Sequence, residues 1–301
     1  MKKVIVRLGN GLGNQLFTYA AAYSFAKKFN ARLYIDDESG FYKRYKYELH
    51  NFNISAPIIN KNNKFLGFFG RLKRKIFIKF SLNKNFLIET KDKKKLTSYD
   101  PNQFNINFKE NLYFEGHFQS EKYFETDIKN IKEEFSFKDN IKNKNIELIN
   151  EIKNSDSVSI HLRQDKFLID EGHKNLKKLN KDFFEHSMSI IKKGIKFFDE
   201  ELNKPKYYVW SNNFTEINNL FPSSKFTLID INLKKDPAYD LYLMSLCKHF
   251  ILSPSTMHYW AAFLSKNINK ICLSPTYMVN NNGYYGFSNN KDIKPSWWRV
   301  I

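Results

Sequence analysis

Short apolar runs alternate with longer amphipathic ones along most of this chain. Near the start, Val4–Leu8 predicts a strand, Leu16–Phe29 a helix holding the small residues Ala20, Ala21 and Ala22, and Arg32–Ile35 a second strand. Asn30 is the expected helix stop, and Asp36 and Asp37 close the second strand. Asp127–Phe135 predicts another helix. From Val158 the alternation becomes regular. Val158, Ser159 and Ile160 end a buried strand, and Lys206–Ser211, Phe226–Asp230, His249–Ser253 and Lys270–Ser274 are further strands. The helices between them are Leu179–Glu201, Phe214–Leu220, Asp240–Lys248 and Thr256–Ser265. Strands alternating with helices predict an α/β fold, a parallel sheet covered on both faces. Between the two patterned parts, Phe137–Asn145 is polar and lysine-rich. A chain of 301 residues exceeds what one core usually serves, so two domains are expected, 1–145 and 146–285. The tail, 286–301, carries Pro295, Trp297 and Trp298 and is apolar enough to dock back on the body.

Composition narrows the class. Hydrophobic residues make up 42%, with 29 Phe and 17 Tyr, which supplies sizeable cores and argues against disorder. No stretch approaches about eighteen consecutive apolar residues, so no transmembrane helix is expected. After Met1-Lys2-Lys3 the apolar run VIVRLGN ends too soon for a signal peptide. Cys247 and Cys272 read as structural thiols in a reducing compartment. The net charge of +18 permits nucleic acid, acidic lipid headgroups or a phosphorylated substrate as partner. No standard nucleic-acid signature is present, so nucleic acid is not expected. GRLKRKIFIKF, within Lys61–Lys95, alternates basic clusters with large apolar residues. It fits an amphipathic helix on an acidic membrane surface, or a solvated helix face, the ordinary reading of a charge run and the favoured one.

Candidate chemistry lies where strands end. The strand at Val158 stops at His161, Arg163 and Asp165, spaced two apart. In an open α/β sheet, ligands bind beyond the carboxyl ends of the strands. The planar fork of an arginine there suits a phosphate. Ser253-Pro254-Ser255-Thr256 ends another strand of the same sheet, with Ser255 and Thr256 at the cap and first turn of a helix, where hydroxyls and free N–H groups accept an anion. Two anion-binding features on one edge suggest a diphosphate. The first strand leads into Gly9-Asn10-Gly11-Leu12-Gly13-Asn14-Gln15, and Gly11 and Gly13 let backbone approach a ligand. A dinucleotide fold with Asp36 on the ribose has the wrong spacing, because Asn14 stands where G-x-G-x-x-G needs its third glycine. YFEGHFQSEKYF surrounds His117, Gln119, Ser120 and Glu121 with aromatics. That composition suits a sugar ring, and equally a corner packed on a core.

Four segments then agree with one family. GNGLGNQLFTYAAA, GHFQSEKYF, SIHLRQDK and DLYLMSLCKHFILSPSTMHYWAAFL resemble the signature blocks of bacterial α-1,2-fucosyltransferases, glycosyltransferase family 11, in the family's order and from end to end of the chain. The resemblance implies a GT-B fold, two Rossmann-like domains facing a cleft, the first on the acceptor side and the second binding a GDP-sugar. It implies a metal-independent, inverting transferase with no cofactor. His161 would contact guanine, Arg163 the β-phosphate, Asp240 guanine, and Ser255 and Thr256 the diphosphate. Asn14 would face the reaction centre with Gln15 beside it, and His117, Gln119 and Tyr123 would serve the acceptor. The chain departs from the family pattern at Gln164, which replaces a second arginine, at Lys166, which replaces an aspartate, and at Pro254, which replaces an asparagine.

The expected function is transfer of L-fucose from GDP-fucose to a galactoside hydroxyl, α-1,2, in O-antigen or lipopolysaccharide synthesis. The alternatives are transfer of colitose, the 3-deoxy relative, from GDP-colitose, and a non-catalytic glycan- or nucleotide-binding protein on the same fold. Charge builds on the leaving diphosphate as the sugar becomes oxocarbenium-like. No Asp-x-Asp motif offers to hold a metal there, so Arg163 and the helix at Thr256 are expected to carry that charge. Asp165, Glu115 and Glu121 remain open as general bases, with Asp165 grouped with Arg163 and Asn14 as catalytic. The expected acceptor is an oligosaccharide or lipid-linked glycan, and the expected location is cytoplasmic, with peripheral contact at the inner membrane face.

Overall fold

The computed structural model describes residues 1–41, 45–80, 85–89, 98–164, 176–215, 217–232, 235–275 and 292–301. They form two compact units, each built on one parallel sheet.

The first unit comprises Met1–Lys138 together with residues 292–295. Its elements are β1 (Lys3–Arg7), α1 (Leu12–Lys28), β2 (Arg32–Asp36), α2 (Gly67–Phe80), β3 (Phe86–Ile88), β4 (Asn111–Glu115) and α3 (Ile128–Glu134). The strand order is β2-β1-β4-β3, all parallel. Helix α1 starts four residues before the expected Leu16. Gly11 is its extended cap, so Asn14 and Gln15 sit in the helix rather than in a loop. Almost the whole of α1 is buried, and Phe25 packs on Phe29, Phe104, Phe108 and Phe114. It stops at Asn30, which takes a left-handed φ of 49°. The N–H of Asn30 bonds to Lys27 and that of Ala31 to Ala26, the Schellman arrangement that satisfies the last carbonyls. Asp36 is fully buried and accepts the N–H groups of Glu38 and Ser39 and the Ser39 hydroxyl. Its carboxylate is thus spent on its own loop, in agreement with the spacing argument against a dinucleotide.

The second unit comprises 139–275 with 296–301. It contains α4 (Asp139–Lys142), α5 (Ile146–Asn154), β5 (Ser157–Leu162), α6 (Leu176–Glu201), β6 (Lys206–Ser211), α7 (Ile217–Leu220), β7 (Phe226–Leu228), α8 (Pro237–Leu246), β8 (His249–Ile251), α9 (Thr256–Leu264), β9 (Cys272–Ser274) and β10 (Arg299–Val300). The order is β10-β9-β8-β5-β6-β7, again parallel throughout. The apolar side chains of β5, β6 and β8 form one core with Ile190, Ile191 and Phe198 of α6. Helix α8 begins at Pro237 with Asp236 as its cap, three residues before the expected start, and Asp240 lies in its first turn. Trp298 is buried against Tyr259, and β10 adds an edge strand that the tail's sequence did not announce.

Each sheet is wound to both sides of its first strand. In the first, the chain passes from β1 outward to β2, crosses to the far edge at β3 and comes back to β4 beside β1. In the second, it passes from β5 outward to β6 and β7 and returns at β8. Such switch points open a crevice at the strands' carboxyl ends.

Candidate active site

At the switch point of the second sheet the ends of β5 and β8 are laced together. The Ser253 hydroxyl donates to the His161 carbonyl at 2.5 Å. The N–H of Ser255 reaches back to the carbonyl of Ser253 at 2.7 Å, a three-residue turn centred on Pro254, whose ring presets the needed φ. Ser255 then caps α9 by accepting the N–H of His258, and the same hydroxyl lies 3.1 Å from His161 Nδ1. Burial, reinforced by the Arg163 charge, pushes the His161 pKa down to about 4, so its ring is neutral near pH 7 and offers one donor and one acceptor. Behind it, His258 is fully buried, bonds Ser159 through Nε2, and is also held neutral by burial. Arg163 is half-buried and makes no hydrogen bond or ion pair to a described residue. Thr256 stands in the first turn of α9, where backbone N–H groups have no partner within the helix. The edge therefore presents a cation, a helix N-terminus and a neutral imidazole.

Gln164 turns elsewhere. Its amide bonds the Asn213 carbonyl at 2.6 Å and the Ser211 hydroxyl at 3.4 Å, and its N–H bonds Asn212, tying β5 to the loop after β6. Asp240 accepts from Asn232 at 2.5 Å, and burial raises its pKa to about 6. Asp165 and Lys166 lie outside the described residues.

The switch point of the first sheet joins Asn14, after β1, to Gln119, after β4. Gln119 Nε2 donates to Asn14 Oδ1 at 2.7 Å, and the Thr18 hydroxyl spans the carbonyls of Asn14 and Gly116. Gln119 Oε1 and His117 Nδ1 are buried without a hydrogen-bond partner. Burial also lowers the His117 pKa, so this cluster is uncharged. What shapes it is Glu89, at the carboxyl end of β3. Its carboxylate accepts the N–H groups of His117 (2.5 Å) and Phe118 (3.0 Å), and burial raises its pKa to about 7. Gly116 takes φ 155° there, and a Cβ on it would come within 2.4 Å of Glu89 Cβ.

Other candidates face inward. Gln15 is fully buried and braces the turn through the carbonyls of Asn10 and Lys46 and the N–H of Glu48. The Tyr123 hydroxyl is bonded to the N–H of Asp100 and to the Ser98 carbonyl. Glu115 is buried and paired with Arg7 and Arg74. Glu121 sits in the 3-10 turn capped by Ser120. Gly11 caps α1 and Gly13 is buried in its first turn.

The sequence profile of glycosyl transferase family 11 matches residues 2–299. The chain belongs to glycosyl transferase family 11. It is 25% identical over 290 residues to the O-antigen biosynthesis glycosyltransferase WbnK of Escherichia coli, covering 89% of this chain and 92% of that one. It is 28% identical over 288 residues to an alpha-1,2-colitosyltransferase of Escherichia coli, covering 92% of each. Among solved structures it resembles the fucosyltransferase NodZ from Bradyrhizobium (TM-score 0.54, 16% identity, 87% of this chain and 92% of that one). It also resembles Arabidopsis thaliana FUT1 in complex with GDP (TM-score 0.56, 12% identity, 94% and 72%). The chain is a glycosyltransferase of GT-B fold, and the expectations for fold class and family hold.

Glu89 was missed in the sequence. FLIE is a short apolar run ending in an acid, the signal used at His161, but the lysines on either side hid it inside a charge run.

Proposed function

We propose that this family member transfers a 6-deoxy-L-hexose from its GDP-sugar to a galactoside hydroxyl, with inversion, forming an α-1,2 linkage in a cell-surface glycan. The observation that carries the reading is the edge of the second sheet. Arg163, free of described partners, stands at the end of β5, and the first turn of α9 stands at the end of β8. Fixed cations and N–H groups aimed at a leaving diphosphate stabilise charge that develops only in the transition state. They do so here without a bound metal in the scheme. Neutral His161, fixed by Ser255, and Asp240 supply hydrogen bonds for guanine. Arg163 and Asn14 are the catalytic groups. Asn14 and Gln119, with the unpartnered atoms of Gln119 and His117, offer uncharged donors and acceptors to sugar hydroxyls. The acceptor is an oligosaccharide or lipid-linked glycan, reached from the cytoplasm at an acidic membrane surface.

Colitose is the second reading for the donor. The relative at 28% identity is described as an alpha-1,2-colitosyltransferase. Gln164, where the family carries an arginine, is committed to Ser211 and Asn213 and is not available to a sugar hydroxyl. The test is a thermal-shift titration with GDP, UDP, GDP-fucose and a GDP-3-deoxy analogue in EDTA, followed by transfer assays to a galactoside. Stabilisation by guanine nucleotides and not by UDP is expected, since a ligand of the folded state raises the melting temperature by mass action. No response to any guanine nucleotide overturns the reading.

A further inference from the structure

We propose that α2 is a membrane-docking element that lays its outer face on a bilayer containing anionic phospholipid. It assigns a place to the membrane contact of the reading above, and its physical argument is independent of the donor site.

Helix α2, fourteen residues long, buries none of them. Its two faces differ. On the inner side, Gly70 approaches the Phe65 backbone so closely that a Cβ would lie 2.4 Å from the Phe65 carbonyl carbon. Four residues on, Arg74 forms a forked pair with buried Glu115, and Phe77 packs edge-on against Phe65. These contacts fix the helix to the body. They turn Phe69, Leu72, Ile76 and Phe80 outward, at i, i+3, i+7 and i+11, one stripe of a helix with about 3.6 residues per turn. Phe69 is 82% exposed, Phe80 76% and Phe68, beside the stripe, 68%. Large apolar side chains of a folded chain seldom stay this exposed in a row without a partner.

The charge on the helix identifies that partner. Gly67–Phe80 contains Arg71, Lys73, Arg74, Lys75 and Lys79 and no acidic residue. Lys73 and Lys75 flank the stripe on either side, and Lys79 lies beside Phe80, with its ammonium 5.7 Å from that ring. A second copy of this helix would bring cation against cation in a chain already at +18. Nucleic acid offers nothing to four projecting apolar side chains. An anionic bilayer answers both features. The stripe enters the boundary between headgroups and acyl chains, and the lysine stems lie along it with their ammonium groups among the phosphates. At fourteen residues the helix lies on the surface, and no helix among the described residues is long and apolar enough to cross a membrane.

The test is co-sedimentation of the full chain with vesicles of phosphatidylcholine alone or with phosphatidylglycerol, at low and high salt, with GDP affinity measured on the same samples. Binding to the anionic vesicles only, weakened by salt, is expected. Phe69→Ser with Phe80→Ser should lower the partition at least tenfold, since both side chains are exposed and neither supports the core. Lys73→Gln with Lys75→Gln should lower it about thirtyfold. Neither pair should alter GDP affinity. Wild-type chain that binds GDP and ignores anionic vesicles overturns the proposal, as does undiminished binding by the phenylalanine pair. Self-association in sedimentation velocity that depends on Phe69, without vesicle binding, would assign the face to a second copy. Vesicle binding without GDP affinity would instead overturn the donor reading and leave the docking face standing.

Discussion

Replacing Glu89 with glutamine tests whether a buried carboxylate builds the turn at the first switch point. Glu89 is 5% exposed and both of its oxygens accept backbone N–H groups. Burial outweighs those two bonds, and its pKa rises from 4.5 to about 7. The folded chain therefore holds a proton that the unfolded chain has released between about pH 4.5 and 7. The stabilisation is complete below the unfolded value and is lost as pH rises through the folded one. At 1.36 kcal/mol per pKa unit, the loss across that window is about 3 kcal/mol. The whole-chain curve hides it, because His161, pushed from 6.5 down to about 4, gains stability with rising pH over almost the same range. The difference between wild type and Glu89→Gln removes that background. At the low end of that window, near pH 4.5, the variant should be less stable by about 1–3 kcal/mol for a backbone N–H left facing an amide NH2. By pH 8 the difference should move by about 3 kcal/mol in the variant's favour, closing or reversing that deficit. Urea unfolding must be followed by far-UV circular dichroism or by amide exchange of β1 and α1. Tryptophan fluorescence reads the wrong unit, since Trp210, Trp260, Trp297 and Trp298 all lie in the second. A deficit constant within about 1 kcal/mol from pH 4.5 to 8 refutes the assignment.

Arg163→Lys should lower kcat for glycosyl transfer a hundredfold or more while leaving the melting temperature unchanged, because the guanidinium has no described partner to lose; steady-state kinetics and calorimetry check both. Asn14→Ala leaves Gln119 Nε2 buried and unpaired and should cost about 1–3 kcal/mol, while Gln119→Leu in the same chain should recover part of it. A double-mutant cycle by urea unfolding gives the coupling, and independent additive losses would rule out the bond. Gly194→Ala places a Cβ 2.6 Å from Ile251 Cγ2, where α6 crosses β8, and should destabilise the second unit by about 1–3 kcal/mol, read by tryptophan fluorescence in denaturant.

The second sheet was legible because each of its central strands is a short apolar run bounded by polar residues. Lys206–Ser211 was placed to the residue, and His249 and Thr256 opened their elements as expected. The first unit was harder to read for physical reasons. Helix α1 is buried almost all round, so its sequence carries little periodicity, and nothing in the apolar pattern marks Leu12 as its start. Strand β3 has three residues and β10 two, too few to show alternation, and β10 exists only because β9 offers an open edge. The site showed the same division. His161, Arg163, Ser255 and Thr256 could be grouped because each lies at or just beyond the end of a readable strand, although β5 runs on through His161 to Leu162. Gln15 and Tyr123 stand in blocks that resemble ligand-contacting ones, and their polar atoms brace turns in the structure, which residue type cannot reveal.

The two switch points differ in charge, and the difference follows from what lies behind each. Behind β5 and β8, two histidines are held neutral by burial, and Arg163 has no ion-pair partner among the described residues, which leaves it to an anionic ligand. Behind β1 and β4, the charges are cancelled before they reach the surface. Glu115 is closed by Arg7 and Arg74, and Asp36 by its own loop. Glu89 is turned onto backbone N–H groups, which leaves amides and an imidazole as the groups that remain. Among the described residues, a phosphate at the first site would meet no unpaired cation, and a neutral sugar at the second would leave a guanidinium unpaired. Under the proposed reading, the donor's diphosphate and the hydroxyl groups of sugars are sorted by this difference, and it is set by buried side chains that touch neither ligand.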